Sequence, residues 1–361
     1  MKISITKSFL PTQRQYNKYL SKIWKSGVLT NNGPLLRELE DRLKKYLGVK
    51  HVFVVSNGTI ALQIAIRTLG LKNEVITTPF SFVATTSSMV WENCKPIFAD
   101  ITSDTLTIDP GEVVKKITSK TTGIIGVHVY GNPCDVEKIQ KISKQYNLPV
   151  IYDAAHAFGV KYKGKSILNY GDISTLSFHA TKLFHTVEGG AIVTNNDELA
   201  NKIYLMRSFG QETPEKLSEV GINGKNSEFH AAMGLCVLDK VDKIIRKRKE
   251  LCELYDKLLK GNKGVSRPII RSGTDYNYSY YPIILPSEEI LLNLQQILNK
   301  QDILTRRYFY PSLNNLCYVK KQPVLVSEDI SRRVLCLPLY YDLNKVDVCT
   351  IANIICGTKM V

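Results

Sequence analysis

A lysine with chemical company stands at position 182. It closes the stretch Ser177-Phe-His-Ala-Thr-Lys182 and is followed by Glu188-Gly-Gly190. A strand ending at Ser177 would deliver Lys182 to a loop, and the glycine pair lets the backbone turn back into a further strand. A lone lysine is ordinarily a surface charge, but three other stretches change that reading. Asp153 ends the apolar run PVIY and opens Asp-Ala-Ala-His156-Ala-Phe-Gly159. An acid at the carboxyl end of a buried strand is poised for a ligand, and a carboxylate suits a cationic nitrogen; alone it reads equally well as a cap or turn acid. Ser56-Asn57-Gly58-Thr59 follows the run HVFVV and opens a helix. Free N–H groups there bind phosphate, Gly58 permits close approach, and the Thr59 hydroxyl can donate. Finally, Pro79-Phe-Ser-Phe82-Val-Ala-Thr85 follows the run EVIT, and Phe82 offers a face on which an aromatic ring can stack.

A lysine for an aldehyde, an acid for a pyridinium nitrogen, an anion cradle and an aromatic face are what pyridoxal 5′-phosphate (PLP) requires. Each of the four stretches follows an apolar run that reads as a strand.

The elements that must position them alternate. Strands are expected at 51–55, 74–77, 96–99, 122–127, 149–152, 173–177 and 190–194, with helices at 58–69, 82–91 and 135–146. Apolar strands alternating with helices predict an α/β fold, a mostly parallel sheet covered on both faces, with ligand groups at the carboxyl ends of the strands. A different texture begins near Glu228: one or two long helices over 228–260, a strand at 278–284, a helix at 288–299 and a last helix at 344–356. Residues 1–235 are therefore read as a large PLP-binding domain and 236–361 as a smaller α+β domain.

Composition narrows the classes. The chain has 361 residues, 44% hydrophobic and 22% charged, which is ordinary globular composition. No apolar run is long enough for a membrane span and no secretory leader is evident, so a cytoplasmic protein is expected. The eight cysteines form no CxxC pair and fit no zinc spacing, so no metal site is expected. The net charge of +15 is diffuse. Its densest run, Lys243 to Lys249, reads as a solvated helix face. Recognition elements for nucleic acid are absent, and an anionic nucleotide substrate suits the charge as well.

From about residue 5 to about residue 355 the chain resembles the DegT/DnrJ/EryC1/StrS group of PLP-dependent nucleotide-sugar aminotransferases. The resemblance is most specific in SFHATKLFHTVEGGAIVT and is supported by SNGTIAL, PFSFVAT, YDAAHAFG and GINGKNSEF. It implies the aspartate aminotransferase (type I) fold, with a seven-stranded, mostly parallel sheet, and a homodimer with shared active sites. By the same resemblance Lys182 is the residue that takes the PLP aldehyde, Asp153 pairs with the pyridinium nitrogen, and His156 lies near the ring hydroxyl. Phe82 stacks on the ring. Gly58, Thr59 and Ser177 hold the phosphate, and Asn223 reaches it from the neighbouring subunit. Some members carry histidine in place of the lysine and are dehydratases; Lys182 favours transamination. Two departures stand out. Many relatives have arginine where this chain has Lys225 and Asn226, and many have a His-Tyr pair where it has Phe309-Tyr310. Thr30, His185, Lys225 and Tyr310 are the implied substrate contacts. The implied amino donor is L-glutamate, and the implied acceptor is a dTDP-linked keto sugar, aminated at carbon 4 on the strength of LTNNGP, HVYGNPCDV and RRYFYPSLN. Alternatives are amination at carbon 3 or a non-catalytic sensor that keeps the fold.

Overall fold

The computed structural model describes residues 2–358. Two helices, α1 (Gln13–Ser26) and α2 (Pro34–Leu47), precede the sheet. There follow β1 (His51–Val55), α3 (Gly58–Thr68), β2 (Asn73–Thr77), α4 (Val83–Trp91), β3 (Cys94–Phe98), α5 (Pro110–Lys116), β4 (Thr121–Val127), α6 (Val136–Tyr146) and β5 (Val150–Asp153). A short hairpin, β6 (Lys161–Tyr162) and β7 (Lys165–Ser166), leads to β8 (Ile173–Ser177), β9 (Gly190–Thr194) and α7 (Asp197–Met206). An exposed hairpin, β10 (Gln211–Thr213) and β11 (Lys216–Leu217), precedes α8 (Glu228–Leu238) and α9 (Val241–Leu259). The chain ends in β12 (Thr274–Asp275), β13 (Tyr281–Ile284), α10 (Glu288–Lys300), α11 (Leu325–Arg333), β14 (Val334–Leu337) and α12 (Lys345–Gly357).

Seven strands form the main sheet in the order β1-β9-β8-β5-β4-β2-β3. Strand β9 runs antiparallel to both its neighbours, β1 and β8, and the other pairs are parallel. The carboxyl ends of β1, β2, β5 and β8 therefore meet at one edge. That edge receives the loops carrying Gly58, Phe82, Asp153 and Lys182. Long-range pairing brings residues more than a hundred positions apart to one rim.

The centres of the strands are mostly apolar because both faces are covered. Val75, Ile125, Ile151 and Ile192 point to the side of α3 and α7; Val54, Ile76, Ile124 and Val150 pack on the side of α2 and α8. Helix α3 buries Ala61, Leu62, Ile64, Ala65 and Ile66, and its small residues let it lie close on the strands.

The smaller unit pairs β13 with β14 and packs α9, α10 and α12 against them. The expected boundary at 235/236 falls inside α8, whose Ala231, Leu235 and Leu238 belong to the core of the large sheet. The change of core comes within α9, between Ile244 and Leu251. The start of the chain also belongs elsewhere than expected, since Ile3 bridges Ile303 beside the small core. A continuous helix carries no composition break, so nothing local in the sequence marks the crossing. Arg248 corrects the reading of 243–249 as a solvated face: it is 5% exposed, and its guanidinium caps the carbonyls of Tyr278 and Ser279. The expected strand at 278–284 begins only at Tyr281, because Tyr278 sits at φ +54° and turns the chain.

Candidate active site

The rim of the sheet opens into a cavity of about 600 Å³. Gly58, Thr59, Phe82, Asp153, His156, Ser177 and Lys182 all line it. Sequence reasoning thus brought together residues from four separate loops.

Asp153 is the last residue of β5 and is 7% exposed. Its Oδ2 accepts from the Thr85 hydroxyl at 2.8 Å and its Oδ1 from the Ala155 N–H at 3.1 Å. Burial pushes its carboxyl above the ordinary range, and the hydrogen bonds and Lys182 oppose that only in part. Among the described residues no cation is ion-paired with it. A buried carboxylate of this kind costs free energy until a cation arrives.

Lys182 lies in the loop between β8 and β9, where its N–H closes a turn onto the His179 carbonyl at 2.9 Å. Its Nζ donates to the Tyr280 hydroxyl at 3.2 Å. Burial lowers its ammonium to about 8, Asp153 acts the other way, and Arg306 adds to the lowering. An amine poised there exchanges protons near neutral pH.

His156 stays neutral, held well below its ordinary range by burial and by Lys182. Its Nδ1 accepts the Tyr130 N–H at 3.1 Å, which places the ring proton on Nε2. The ring lies nearly parallel to Phe309, 5.6 Å between centroids. Phe309, a departure from the resembled pattern, is thus an apolar wall of the cavity here.

The anion cradle is built at the N-terminus of α3. Asn57 caps the helix by accepting the Ile60 N–H at 2.9 Å, leaving the N–H groups of Gly58 and Thr59 at the free end. A Cβ on Gly58 would lie 3.1 Å from the Cβ of Ser177 at the end of β8, a tight contact that glycine avoids. Gly190 corrects the sequence reading. It has no positive φ; its role is close approach, since a Cβ would stand 2.6 Å from the Asn57 carbonyl. Phe82 caps α4 and remains 51% exposed although it lines the cavity, leaving its face free for a flat ligand.

The chemistry of this donor set suits PLP: an unpaired buried acid, a lysine amine, an anion cradle kept open by glycine and an uncovered aromatic face share one cavity.

Other expected contacts lie elsewhere. His185 is 1% exposed; its Nε2 binds the Phe9 carbonyl at 2.7 Å and its Nδ1 accepts the Val187 N–H at 3.2 Å. Both ring nitrogens serve the backbone, so the expected substrate contact is corrected to a structural one. Thr30 is exposed outside the cavity, and so is Tyr310, which lies under the Arg307 guanidinium at 3.5 Å. Asn223 is exposed outside the cavity of its own chain, where Lys225 Nζ donates to its Oδ1 at 2.8 Å. Lys225, where the resembled motif has arginine, does not line the cavity of its own chain; Asn226 beside it is buried and donates to the carbonyls of Val55 and Glu188 at 3.3 and 3.1 Å, tying β1 to the Lys182 loop. Sequence reasoning missed Thr85, Tyr280, Arg306 and Tyr308. Thr85 was legible as the hydroxyl ending the Phe82 stretch; the other three come from the smaller unit, and only tertiary packing carries them to this rim.

Comparison with known proteins agrees. The model of the DegT/DnrJ/EryC1/StrS aminotransferase family matches residues 12–356. The dTDP-4-amino-4,6-dideoxy-D-glucose transaminase of Shigella dysenteriae is 43% identical, with 95% of each chain covered. The enzyme of the same name from Escherichia coli is 40% identical, with 98% of each covered. The crystal structure of DesI in the presence of its TDP-sugar product superposes with a TM-score of 0.94 at 31% identity, covering 98% of this chain and 92% of that one. The chain belongs to the DegT/DnrJ/EryC1/StrS aminotransferase family, and it is a PLP-dependent enzyme of the type I fold.

Proposed function

We propose that this enzyme moves the amino group of L-glutamate to carbon 4 of dTDP-4-keto-6-deoxy-D-glucose, giving dTDP-4-amino-4,6-dideoxy-D-glucose and 2-oxoglutarate. The observation that carries the reading is the placement of Lys182 and Asp153 in one cavity, in a chain that is 40–43% identical over nearly its full length to two transaminases named for that product.

When bound, PLP supplies an aldehyde for the amine and an electron-withdrawing ring. The chain's own residues do the rest. Asp153 would hold the ring nitrogen protonated, its carboxylate already desolvated and aimed by Thr85 and Ala155. The N–H groups of Gly58 and Thr59 and the hydroxyls of Thr59 and Ser177 would hold the phosphate. His156 donates from Nε2. Lys182 Nζ would take up the proton released at the α-carbon of the amino donor and give it back, which its lowered basicity permits. The dTDP group contributes binding energy remote from the reacting carbon, and part of the +15 charge serves its phosphates.

The active form is proposed to be a homodimer. Asn223 lies outside its own chain's cavity, in a stretch where Phe209, Leu217, Val220 and Ile222 expose apolar surface. That supports a partner covering the stretch and receiving Asn223. Light scattering on the purified protein tests it, and a monomer active at full rate refutes it. Among the described residues no helix is long and apolar enough to cross a membrane. The proposed compartment is the cytoplasm, and the proposed fate of the product is lipopolysaccharide O-antigen.

The deciding experiment supplies PLP, L-glutamate and dTDP-4-keto-6-deoxy-D-glucose generated in place, and locates the new amine by NMR. Nitrogen on carbon 4 in the equatorial gluco arrangement is the expected result. Amination only after a 3,4-ketoisomerase is added moves the enzyme to carbon 3. Absence of glutamate-dependent bleaching of the cofactor absorbance points to a sensor.

A further inference from the structure

The phenol of Tyr280 meets the amine of Lys182 at 3.2 Å across the join between the two units. Tyr280 precedes β13 in the smaller unit and is rigidly held. Arg248 donates from Nε to the Tyr278 carbonyl at 2.9 Å and from Nη2 to the Ser279 carbonyl at 2.6 Å. Ser279 Oγ donates to the His156 carbonyl at 2.7 Å, and Asn277 Nδ2 donates to the carbonyls of His156 and Phe158 at 2.9 Å each. The Tyr280 ring packs on His156 at 4.6 Å and on Tyr308 at 5.2 Å. One buried network therefore fixes both the Tyr280 hydroxyl and the turn that carries His156.

The groups that share the cavity with Lys182 differ in what they can do. Asp153, at the end of β5, only accepts, as does Glu188 on the Lys182 loop. Arg306 only donates, and so does His156 from Nε2. His179 and Thr181 are hydrogen-bonded to each other, and the Arg306 guanidinium lies over the Tyr308 ring at 4.7 Å. A lysine that gains and loses a proton needs a partner that accepts from the ammonium and donates to the amine. A hydroxyl does both. Burial keeps the Tyr280 phenol unionised.

Resting on the aminotransferase reading, we propose that Tyr280 is the positioning residue of Lys182, holding Nζ in place in both protonation states whenever the lysine is not joined to the cofactor. Without that contact a side chain with four rotatable bonds would have to be ordered anew at each proton transfer.

The test begins with the protein freed of PLP. The pH dependence of Lys182 acetylation by acetic anhydride, read by peptide mass spectrometry, gives the midpoint of the amine. Loss of an acceptor from an ammonium outweighs loss of a donor from an amine, so Tyr280→Phe lowers the midpoint by about one pH unit. In the PLP-loaded enzyme the same variant lowers kcat about tenfold or more, with KM for glutamate and for the nucleotide sugar within about twofold. Tyr280→His keeps one donor and one acceptor nitrogen, and holds the midpoint within about half a unit of wild type. Tyr130→Phe, in the same aromatic cluster, leaves the midpoint in place. A wild-type midpoint and kcat in Tyr280→Phe overturns the proposal, as does equal impairment of the Phe and His variants. If the wild type aminates no dTDP-keto sugar, the functional reading fails by itself, and the acetylation midpoint still decides whether Tyr280 holds Lys182.

Discussion

Lys182 and Asp153 face one cavity without forming an ion pair: the Lys182 amine binds the Tyr280 hydroxyl, and the Asp153 carboxylate is held by Thr85 and Ala155. Each charged group is thereby kept available for a different part of the cofactor. The arrangement leaves a carboxylate and an ammonium in a low-dielectric site with their mutual attraction only partly used, and this has consequences for stability as well as for rate.

Asp153→Asn retains some cofactor and loses most of the rate, about a hundredfold or more in kcat, because the ring nitrogen no longer has an anion to keep it protonated. An unchanged kcat in steady-state assays rules out that role for Asp153.

The same substitution raises the thermal stability of the cofactor-free protein at neutral pH. The folded-state pKa of Asp153 is raised above its unfolded value, so the folded chain binds more protons and stability falls as pH rises through that window. The carboxamide that replaces the carboxylate has no charge to bury, so the variant does not share that fall. Melting curves of the two apo-proteins between pH 4 and pH 8 report it, and parallel curves would falsify the assignment.

Lys182→Met behaves in the opposite window. The folded pKa is depressed from 10.5 to about 8, so the unfolded chain binds more protons between those values and wild-type apo-protein gains stability as pH rises across them. Below about pH 8 the buried ammonium costs up to about 3 kcal/mol, and the methionine variant is more stable there by a fraction of that. Turnover by Lys182→Ala or Lys182→Met is expected to be nil. Urea unfolding at pH 7 and pH 10 checks the first statement, product NMR the second.

His185→Leu tests a structural role. It leaves the Phe9 carbonyl and the Val187 N–H without partners, a loss of about 1–3 kcal/mol in unfolding free energy. Its KM for the nucleotide sugar is expected to match wild type. A large rise in that KM with unchanged stability returns His185 to the substrate site.

Gly58→Val places a branched side chain where a Cβ alone already lies 3.1 Å from Ser177. The cradle must open, and PLP affinity falls by about tenfold or more, with Ser177→Ala losing less because only one donor is removed. Fluorescence titration of apo-protein with PLP ranks the two, and equal losses contradict the steric clash.

The strands were legible from the sequence to within a residue or two because strands buried on both faces are short, mostly apolar runs bounded by turn residues. His51–Val55, Ile173–Ser177 and Gly190–Thr194 fall where the runs place them. The four loops carrying Gly58, Phe82, Asp153 and Lys182 were legible for the same reason, since each follows such a run and strand ends in this topology share a rim. What only the tertiary structure decided is the other wall of the site. Tyr280 meets Lys182 across 98 positions of sequence, brought there by a turn that Arg248 caps and that the strand-like alternation of 278–284 conceals. His185 resembles its neighbours in sequence yet points to the Phe9 carbonyl, and Arg248 sits in a basic run yet is buried. Local periodicity records which residues are apolar, and hence which segments become elements. Which polar side chain finds which partner depends on long-range packing, where a buried donor must meet whatever acceptor the fold brings within about 3 Å.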